Sequence, residues 1–409
     1  MNYLIIGNSA AAVGCIEGIR SIDPEGPITL LSREPFHTYS RPLISYLLCG
    51  KTDEERMKYR ADDFYGKNRV TALLGREATS IDPKAKTVRT AGGTLSYDRL
   101  LVATGSRPFV PPAEGMELIE KKFTFLSLDD AHALGAALFP GARVLIVGAG
   151  LIGLKCAEGI AGRCKSITVV DLADRILPSI LDAESSAVVR AHIEAHGVSF
   201  LLGDSVERFT AGEAVLKSGG TVPYDLVVFA VGVRPNTELV KEAGGRTARG
   251  ICTDDHCRTS LPGVWAAGDC AESYDITTGQ ERVLALLPNA YMQGECAGIN
   301  MAGGDRAYDR AMPMNAIGFF GLHVITAGSY EGESFVSRGE NTYKRLVTQG
   351  NRLAGYILVG GIERAGIYTT LIRERTPLDT IDFALIREKP QLMAFSRAER
   401  AHRLGGVTK

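Results

Sequence analysis

A glycine-rich turn near the middle of the chain carries the clearest chemical signal. Gly148, Gly150 and Gly153 stand at GxGxxG spacing between an apolar run, Val144 to Val147, and an apolar-periodic segment that continues to about Gly162. Glycine at these positions permits a tight turn, close approach of the backbone to a pyrophosphate, and packing of a helix on a strand. The phosphates would lie at the N-terminus of that helix, where backbone N–H groups can bind them. The pattern therefore predicts a dinucleotide site.

An acidic residue follows at the distance that such a site requires. A second apolar run, Ile167 to Val170, ends on Asp171, about twenty residues after the glycine turn. A carboxylate at this place accepts hydrogen bonds from the 2′-hydroxyl of a ribose. We therefore expect NAD(H), rather than its 2′-phosphorylated form, at this turn.

The N-terminus repeats the pattern in weaker form. The first apolar run ends at Gly7, and small residues, Ser9 and Ala12, occupy the second and third glycine positions. Small side chains still permit close approach of the backbone and packing of the helix, so a second dinucleotide site is predicted. Glu34 is the expected ribose partner, although Ser32 lies closer to the end of the following strand.

Two segments of the chain match each other at a constant spacing, which indicates an internal duplication. Residues 88–108, VRTAGGTLSYDRLLVATGSRP, match residues 215–235, VLKSGGTVPYDLVVFAVGVRP, with ten identical positions. Each copy predicts a β-hairpin with a Gly-Gly turn, then a buried strand and a small-residue loop that leads to Arg-Pro. Loops at the carboxyl ends of strands are where open α/β sheets bind ligands.

A third polar signal follows the short apolar run Val264 to Ala266, which leads into Gly268 and Asp269. A carboxylate placed here can approach a polyol or ribityl chain, and it can equally cap the next turn, so both functions stay open. A helix is expected to begin at Pro288 and to end before Gly303. Its N-terminus would favour negative charge nearby.

The composition is that of an ordinary globular chain with room for two or three domains. Its 409 residues are 45% hydrophobic and 23% charged, and a formal net charge of -1 gives no reason to expect nucleic acid or an anionic membrane as a partner. No apolar run approaches the ~20 residues of a membrane span, and we expect no secretory signal. Eight cysteines without a CxxC pair indicate reduced thiols in the cytoplasm.

Two histidine patterns are weak candidates for metal binding. Cys252 and Cys257 flank His256, but no second pair completes a zinc site. His192 and His196 lie one helical turn apart, but HIEAH is not HExxH and no third ligand is evident. We therefore expect no metal site.

The C-terminal part of the chain, from about Met312, is expected to form a separate unit. The runs His323 to Ala327, Tyr343 to Val347 and Leu353 to Leu358 predict an antiparallel sheet, and Glu363 to Arg373 predicts a helix against it. The apolar content would suit a homodimer face or the seat of a protein partner, and the sequence favours neither.

Taken together, these motifs resemble the FAD-dependent pyridine nucleotide-disulfide oxidoreductase superfamily, the two-dinucleotide flavoproteins that include glutathione reductase. GNSAAA, LLVATGSRP, GAGLIG, FAVGVRPN and VWAAGDCAE match, in order, its FAD-pyrophosphate turn, first ATG loop, NAD turn, second such loop and ribityl Asp motif. The resemblance covers essentially the whole chain. It implies an α/β fold with two Rossmann-like domains, for FAD (1–112 and 245–308) and NAD (113–244), and a C-terminal α+β interface or dimerisation domain (309–409).

The resemblance also implies which residues contact the cofactors. It assigns Asp269 to the ribityl chain and the N-terminus of the helix from Pro288 to the flavin pyrimidine. The residues expected at the FAD site are Gly7, Asn8, Ser9, Ala10, Ala12, Ser32, Arg33, Glu34, Arg41, Pro42, Ala78, Ala103, Thr104, Gly105, Arg107, Gly268, Asp269 and Pro288. The residues expected at the NAD site are Gly148, Gly150, Leu151, Ile152, Gly153, Asp171, Val231 and Gly232.

The segment YSRPLISYL, Tyr39 to Leu47, decides the branch of the superfamily. Disulfide reductases carry CxxxxC here, and coenzyme A disulfide reductases and NADH oxidases carry one cysteine where Arg41 falls; this chain has neither. The segment is instead similar to ferredoxin and rubredoxin reductases and to the flavin-binding half of assimilatory nitrite reductase. The resemblance therefore implies that electrons pass from NADH to the flavin and leave it directly for rubredoxin, ferredoxin or an iron–sulfur subunit.

Two alternatives stay open. An NADH oxidase or coenzyme A disulfide reductase-like enzyme would need a redox cysteine, and Cys49 lies about two helical turns beyond the expected position. A non-catalytic subunit of a larger redox complex would bind the nucleotides without transferring electrons.

One departure from those relatives concerns charge beside the flavin. The relatives carry a Lys after the Arg-Pro segment and a Glu in the NAD turn, which resemble an ion pair, whereas this chain has Tyr46 and Lys155 at those positions. We hypothesise that Lys155 acts as a catalytic cation without a carboxylate partner and so raises the flavin potential. In the alternative, Lys155 extends to solvent.

Overall fold

The computed structural model describes residues 1–396. Its strands are, in chain order, β1 Tyr3–Ile6, β2 Ile28–Ser32, β3 Val70–Leu74, β4 Ala78–Asp82, β5 Thr87–Thr90, β6 Gly93–Ser96, β7 Arg99–Val102, β8 Ser106–Pro108, β9 Lys122–Thr124, β10 Arg143–Val147, β11 Ser166–Asp171, β12 Val198–Leu202, β13 Val206–Thr210, β14 Glu213–Leu216, β15 Thr221–Pro223, β16 Leu226–Phe229, β17 Val233–Pro235, β18 Val264–Ala266, β19 Ser273–Asp275, β20 Gln280–Arg282, β21 Met314–Phe319, β22 Leu322–Gly328, β23 Glu333–Arg338, β24 Tyr343–Gln349 and β25 Arg352–Val359. Its α-helices are α1 Ala10–Ile22, α2 Ile44–Leu48, α3 Glu54–Met57, α4 Phe64–Lys67, α5 Leu128–Ala137, α6 Leu151–Ile160, α7 Ala183–Glu194, α8 Glu238–Glu242, α9 Leu287–Met301, α10 Ala365–Arg373 and α11 Phe383–Glu388.

Two five-stranded parallel sheets with the same arrangement carry the site. The first has the order β18-β7-β1-β2-β3 and the second β12-β11-β10-β16-β9. The short apolar runs predicted as buried strands form β1 and β10, which are central in these sheets. Because β1 pairs with β2 on one side and β7 on the other, successive connections leave in opposite directions and open a crevice at the carboxyl ends. The α/β fold with two Rossmann-like sheets is confirmed.

The duplicated segments fold alike. β5 and β6 form an antiparallel hairpin that precedes the buried strand β7, and β14 and β15 form the hairpin that precedes β16. The two Arg-Pro exits, β8 and β17, pair with each other in antiparallel orientation, with Arg107 opposite Arg234. The two copies therefore meet at the Arg-Pro that both of them contain.

The C-terminal region forms an antiparallel sheet in the order β21-β22-β25-β24-β23. Helix α10 contributes Tyr368 and Leu371 to a buried cluster with Tyr356 of β25, so the predicted sheet and its helix are both present. The helix begins at Ala365, two residues after the predicted start at Glu363.

The chain divides into two compact units. The first comprises Met1–Leu172, Val198–Asp275 and Gly279–Ala311 and contains both parallel sheets. The second comprises Ala173–Gly197, Ile276–Thr278 and the described part of Met312–Lys409. Because both sheets fall in the first unit, the predicted limits of the FAD and NAD domains stay predictions. Among the helices of residues 1–396, none is long and apolar enough to cross a membrane.

Candidate cofactor site

A cavity of about 720 Å³ opens at the carboxyl ends of the strands of the first sheet. Most of the residues expected at the FAD site line it, namely Gly7, Asn8, Ser9, Ala10, Ser32, Arg33, Glu34, Arg41, Ala78, Ala103, Thr104, Gly105, Arg107, Gly268 and Asp269. Three expected residues do not line it. Ala12 is fully buried in the core, Pro42 follows Arg41 in a 3-10 turn, and Pro288 lies in the first turn of α9 between the lining residues Leu287 and Ala290.

The turn between β1 and α1 is shaped to receive a phosphate. Gly7 has φ +120°, and a Cβ at this position would lie 2.1 Å from the carbonyl oxygen of Ala103. Ser9 is the N-cap of α1, but its side chain makes no capping hydrogen bond and the first turn has no acidic residue. The first backbone N–H groups and the positive end of the helix dipole therefore stay available for an anion.

Glu34 lies at the cavity and is held by two side chains. Arg41 Nη2 lies 2.5 Å from Glu34 Oε1, and the Tyr39 hydroxyl donates to Glu34 Oε2 at 2.7 Å. Tyr39 in turn accepts from the backbone N–H of Leu128 at 3.0 Å, and burial raises its pKa. Since each carboxylate oxygen has two lone pairs, Glu34 can still accept from a ribose. Ser32, the other ribose candidate, donates its hydroxyl to the Glu34 carbonyl at 2.9 Å.

Asp269 lines the cavity, and its carboxyl is buried there. Burial raises the pKa of its carboxyl, while Arg41 and the hydroxyl of Ser106, 3.5 Å from Asp269 Oδ2, act in the opposite direction. The preceding residue, Gly268, has φ +82° and donates its N–H to Gln293 Oε1 of α9 at 2.9 Å. A partly desolvated carboxyl in this position is suited to bind hydroxyl groups, which can donate to its charged form.

Glycines bring α1 and α9 into contact behind the cavity. A Cβ on Gly294 would lie 1.9 Å from the carbonyl oxygen of Ala11, and one on Gly298 would lie 2.2 Å from that of Cys15. On the other helix, a Cβ on Gly14 would lie 2.2 Å from the carbonyl oxygen of Tyr291. Only glycine permits this approach, which places the first turns of both helices at the same cavity.

The predicted NAD turn has the same construction in the second sheet. Gly148 has φ +119°, and its Cβ would lie 2.4 Å from the carbonyl oxygen of Ala230, the repeat partner of Ala103. Gly150 is the N-cap of α6 and faces open space, while a Cβ on Gly153 would lie 2.0 Å from the carbonyl oxygen of Gly148. These are the three roles that the sequence predicts for the glycines.

Asp171 closes the same turn. Its carboxylate accepts from the backbone N–H of Ala149 at 2.6 Å, and it is the last residue of β11 rather than the residue after it. Leu151 and Ile152 form the first turn of α6, and Val231, which follows β16, is 38% exposed. Gly232 has φ +119°, which its lack of a side chain permits.

The two small-residue loops are joined by Thr104 and Arg107, which the sequence predicts at the FAD site, and by Asn236 and Glu238, which it does not. Thr104 Oγ1 donates to the Asn236 carbonyl at 2.7 Å, and Asn236 Nδ2 donates to the Thr104 carbonyl at 2.9 Å. Arg107 donates to Asn236 Oδ1 at 2.8 Å and lies 2.7 Å from Glu238 Oε1. Asn236 and Glu238 also line the cavity. The RPN motif after β17 was the signal available for Asn236.

The prediction that Lys155 is a cation without a carboxylate partner is wrong. Lys155 forms an ion pair with Glu158, one turn along α6, and their side chains are only 13% and 5% exposed. Lys51 Nζ lies 3.8 Å from the same carboxylate, and Lys155 Nζ lies 4.4 Å from the centre of the Tyr46 ring. The alternative in which Lys155 extends to solvent is also wrong. Spacing of three residues on one helix explains the pair and could have predicted it.

The cysteine and histidine candidates lie apart from the cavity. Cys49 is the C-cap of α2, donates to the Tyr46 carbonyl at 3.5 Å and does not line the cavity. Cys252 Sγ lies 3.9 Å from Glu272 Oε2, whereas Cys257 Sγ lies 3.5 Å from the Gln293 carbonyl, so the two do not converge on one ion.

The HIEAH pair has ordinary partners of its own. His192 Nε2 lies 3.2 Å from the Phe320 carbonyl, and the His196 ring stacks on the Phe320 ring with centroids 4.6 Å apart. Within residues 1–396, the one group of side chains spaced for a metal ion is Asp254, Asp255 and His256.

The two parallel sheets and their glycine turns define a two-dinucleotide flavoprotein. The sequence matches the model of the pyridine nucleotide-disulphide oxidoreductase family over residues 1–294, and the chain belongs to this family. It is thus an oxidoreductase that uses FAD and NAD(H).

Similar proteins cover nearly the whole chain. It is 33% identical over 390 residues to the NADH-dependent phenylglyoxylate dehydrogenase subunit epsilon of Aromatoleum evansii, with 92% of each chain covered. It is 30% identical over 389 residues to the NAD(P)H nitrite reductase of Bacillus subtilis, covering 92% of this chain but only 47% of that protein. The putidaredoxin reductase of a covalent complex with putidaredoxin superposes with a TM-score of 0.87 at 25% identity and 99% coverage of both chains.

Proposed function

We propose that this chain oxidises NADH and passes the electrons through FAD to a separate redox protein or iron–sulfur subunit. The observation that carries the proposal is the identity of residue 41, which begins the 3-10 turn before α2. Arg41, in an ion pair with Glu34, stands where the resemblance to thiol-dependent relatives requires a cysteine. Without a thiol at that position, the chain offers no sulfur relay between the flavin and a small disulfide substrate.

The residues at the cavity fit FAD. The Gly7 turn and the first N–H groups of α1 would hold the pyrophosphate, Glu34 the adenosine ribose, and Asp269 the ribityl hydroxyls. The first turn of α9 would place its positive end at the flavin pyrimidine and stabilise negative charge there. When bound, FAD supplies the chemistry that accepts a hydride and releases electrons.

The residues of the second sheet fit NADH. The Gly148 to Gly153 turn would hold its pyrophosphate, and Asp171 would accept from the ribose hydroxyls. The Ala149 N–H that Asp171 already binds fixes the carboxylate in position for this role. Lys155 and Glu158 would provide, from one helix, the two charges that the relatives take from two segments.

Two of the relatives support a macromolecular electron acceptor. One is a subunit of an NADH-dependent dehydrogenase, and the other is a reductase captured in a covalent complex with putidaredoxin. We propose that this chain likewise works with a partner, and that a homodimer is compatible with this role. All eight cysteines are free thiols, which supports our placement of the reaction in the cytoplasm.

An anaerobic titration with NADH tests the proposal. The visible flavin absorbance should bleach with one equivalent of NADH per FAD, and no long-wavelength thiolate band should appear. Cys49→Ser should leave the titration and the turnover with an artificial one-electron acceptor unchanged. A thiolate band that disappears in Cys49→Ser would instead establish the thiol-dependent alternative. Retained FAD that NADH does not bleach would establish the non-catalytic alternative.

A further inference from the structure

A second cavity lies at the amino ends of β7 and β18, opposite the end of the first sheet that carries the cofactor site. It has a volume of about 460 Å³, which is in the range of small-molecule sites. Its wall comprises Arg99 at the start of β7, residues 258–265, and Asn300, Gly303 and Gly304 at the end of α9 and just beyond it. The two cavities share no lining residue, and the proposed electron transfer uses none of this wall.

Strand register places two arginines on the same face of the sheet as Trp265. Arg258 forms a β-bridge with Trp265, and residues paired in this way point to the same side. Leu100 of β7 pairs with Val264 of β18. Arg99 and Trp265 each lie next to one residue of that pair, so both point to the other side of the sheet. The guanidinium carbon of Arg99 lies 5.4 Å from the centre of the Trp265 ring, and both arginines line the cavity.

The donors of this cavity have no acceptor. Within residues 1–396, neither the Arg99 nor the Arg258 side chain makes a hydrogen bond or an ion pair. The Nε1 of Trp265 is buried without a partner, and the residue is only 5% exposed. The described residues that line the cavity include no Asp or Glu. Since buried donors without acceptors are costly, the cavity is suited to a ligand that brings acceptors and negative charge.

The acceptors in the wall are already engaged. Thr259 Oγ1 and Ser260 Oγ accept from backbone N–H groups at 3.1 and 2.8 Å. Asn300 Oδ1 accepts from the Arg306 N–H at 3.0 Å. The carbonyls of Ile299 and Asn300, in the last turn of α9, accept from N–H groups just beyond the helix at 2.9 and 3.2 Å. These acceptors are therefore directed at backbone donors rather than at the two guanidinium groups.

We propose that this cavity binds a small phosphate monoester. The phosphate carries about −1.5 to −2 charges at neutral pH, which balances the two arginines. Each guanidinium presents its N–H donors in a planar fork, and the phosphate oxygens can accept from both forks. A carboxylate brings one charge and would leave one arginine without a counter-charge. Leu261 and Pro262 in the wall would contact the organic group that carries the phosphate.

The chain contains its own reporter of this site. Trp265 is the only tryptophan of the sequence, and Arg99 stacks on its ring. A ligand that binds the arginines changes the surroundings of the indole and therefore its fluorescence. This inference goes beyond the proposed electron transfer and does not depend on it, because binding is measured without turnover.

The experiment titrates the full-length, FAD-loaded protein with phenyl phosphate and records the heat of binding and the fluorescence of Trp265. Low ionic strength limits the screening of the charges. Both signals should saturate at one equivalent. Benzoate, which has the same ring and less charge, should bind at least about 10-fold more weakly, because it loses charged hydrogen bonds. Absence of binding, or equal affinity for the two probes, would overturn the proposal.

Variants locate the bound probe. Arg99→Gln and Arg258→Gln should each weaken the binding of phenyl phosphate about 10- to 100-fold, the value of a charged hydrogen bond. Arg258 is exposed, so its variant tests the site even if Arg99→Gln does not fold. Arg387→Gln is the matched control and should keep the wild-type affinity. Arg387 also stacks on a ring, 4.7 Å from the centre of Phe335, but does not line the cavity. Binding that persists in Arg258→Gln would refute the assignment.

A purely structural role of the arginines predicts a different result. Positive charge near the C-terminal end of a helix offsets the negative end of its dipole, so the two arginines could act on α9 alone. Phenyl phosphate would then leave the Tm of the wild-type protein unchanged. A bound ligand instead raises the Tm by mass action, and this rise should be lost in Arg258→Gln and kept in Arg387→Gln. An unchanged wild-type Tm at a saturating concentration of phenyl phosphate would support the structural role and overturn the binding site.

Discussion

Replacement of Gly294 by alanine tests whether close packing of α1 and α9 positions the cofactor site. The new Cβ would lie 1.9 Å from the carbonyl oxygen of Ala11, and real Cβ atoms essentially never come closer than 3.0 Å. The two helices would have to separate by about 1.1 Å at this point, which is the difference between these two distances. Ala11 and Ala290 both line the cavity, so the displacement reaches the cavity wall directly.

Two opposing effects set the change in the free energy of unfolding. Overpacking of a well-packed interface costs about 1–3 kcal/mol, whereas alanine gains up to about 1 kcal/mol over glycine within a helix. Gly366 in α10 provides the matched control, because a Cβ at that position has nothing within 4 Å. We expect Gly294→Ala to lower the free energy of unfolding and Gly366→Ala to leave it unchanged or raise it; because both variants gain the helix propensity of alanine, the difference between them is the overpacking cost of about 1–3 kcal/mol.

Affinity for FAD gives the second measurement. If the displaced helix ends weaken the binding free energy of FAD by about 1.4 kcal/mol, the dissociation constant of FAD rises tenfold in Gly294→Ala. It should not change in Gly366→Ala. Urea unfolding and fluorescence titration of the FAD-free protein measure the two quantities. Wild-type FAD affinity in a folded Gly294→Ala protein would refute the reasoning that this glycine contact sets the position of the helix ends.

Three further predictions follow from the ionisable groups. Glu158→Gln removes the carboxylate from a buried ion pair with Lys155, so the free energy of unfolding should fall by about 3–5 kcal/mol, and urea unfolding that matches wild type would contradict this. For Asp269, burial raises the pKa in the folded state, so the FAD-free protein should lose stability as the pH rises from about 3.9, the unfolded value, through the raised pKa. Asp269→Asn should lack this decline in pH-dependent unfolding, and an unchanged profile would exclude the carboxyl as its source. Asp171→Asn should lower kcat/KM for NADH roughly 10- to 100-fold, the value of a hydrogen bond to a charged group, while kcat/KM for NADPH changes less. If the ratio of kcat/KM for NADH to kcat/KM for NADPH stays unchanged, Asp171 does not select between the two nucleotides.

Local sequence determined the elements that surround both turns. The apolar run Val264 to Ala266 forms β18 with the predicted limits, and the first apolar run forms β1 directly before Gly7, because short apolar runs bounded by glycine favour buried strands. Gly7 and Gly148 adopt positive φ as their place in the motif requires. The internal duplication could also be predicted from the sequence, because similar sequences in similar surroundings form similar hairpins.

Contacts between distant segments decided the rest of the site. Leu126 and Asp130 line the cavity without belonging to any motif, because the fold rather than the spacing brings them there. Tyr39 belongs to the segment YSRPLISYL, but only the fold brings its hydroxyl between Glu34 and the N–H of Leu128.

The sequence alone determined that this protein has two dinucleotide turns, since these depend on glycine conformations and on residues close in the chain. The tertiary structure alone decided which side chains are partnered. The Tyr39 hydroxyl binds the N–H of Leu128, and Thr104 and Asn236 bind each other, because the fold brings together segments that are far apart in the chain. Pairings of this kind depend on where distant segments come to lie, and no local pattern specifies them.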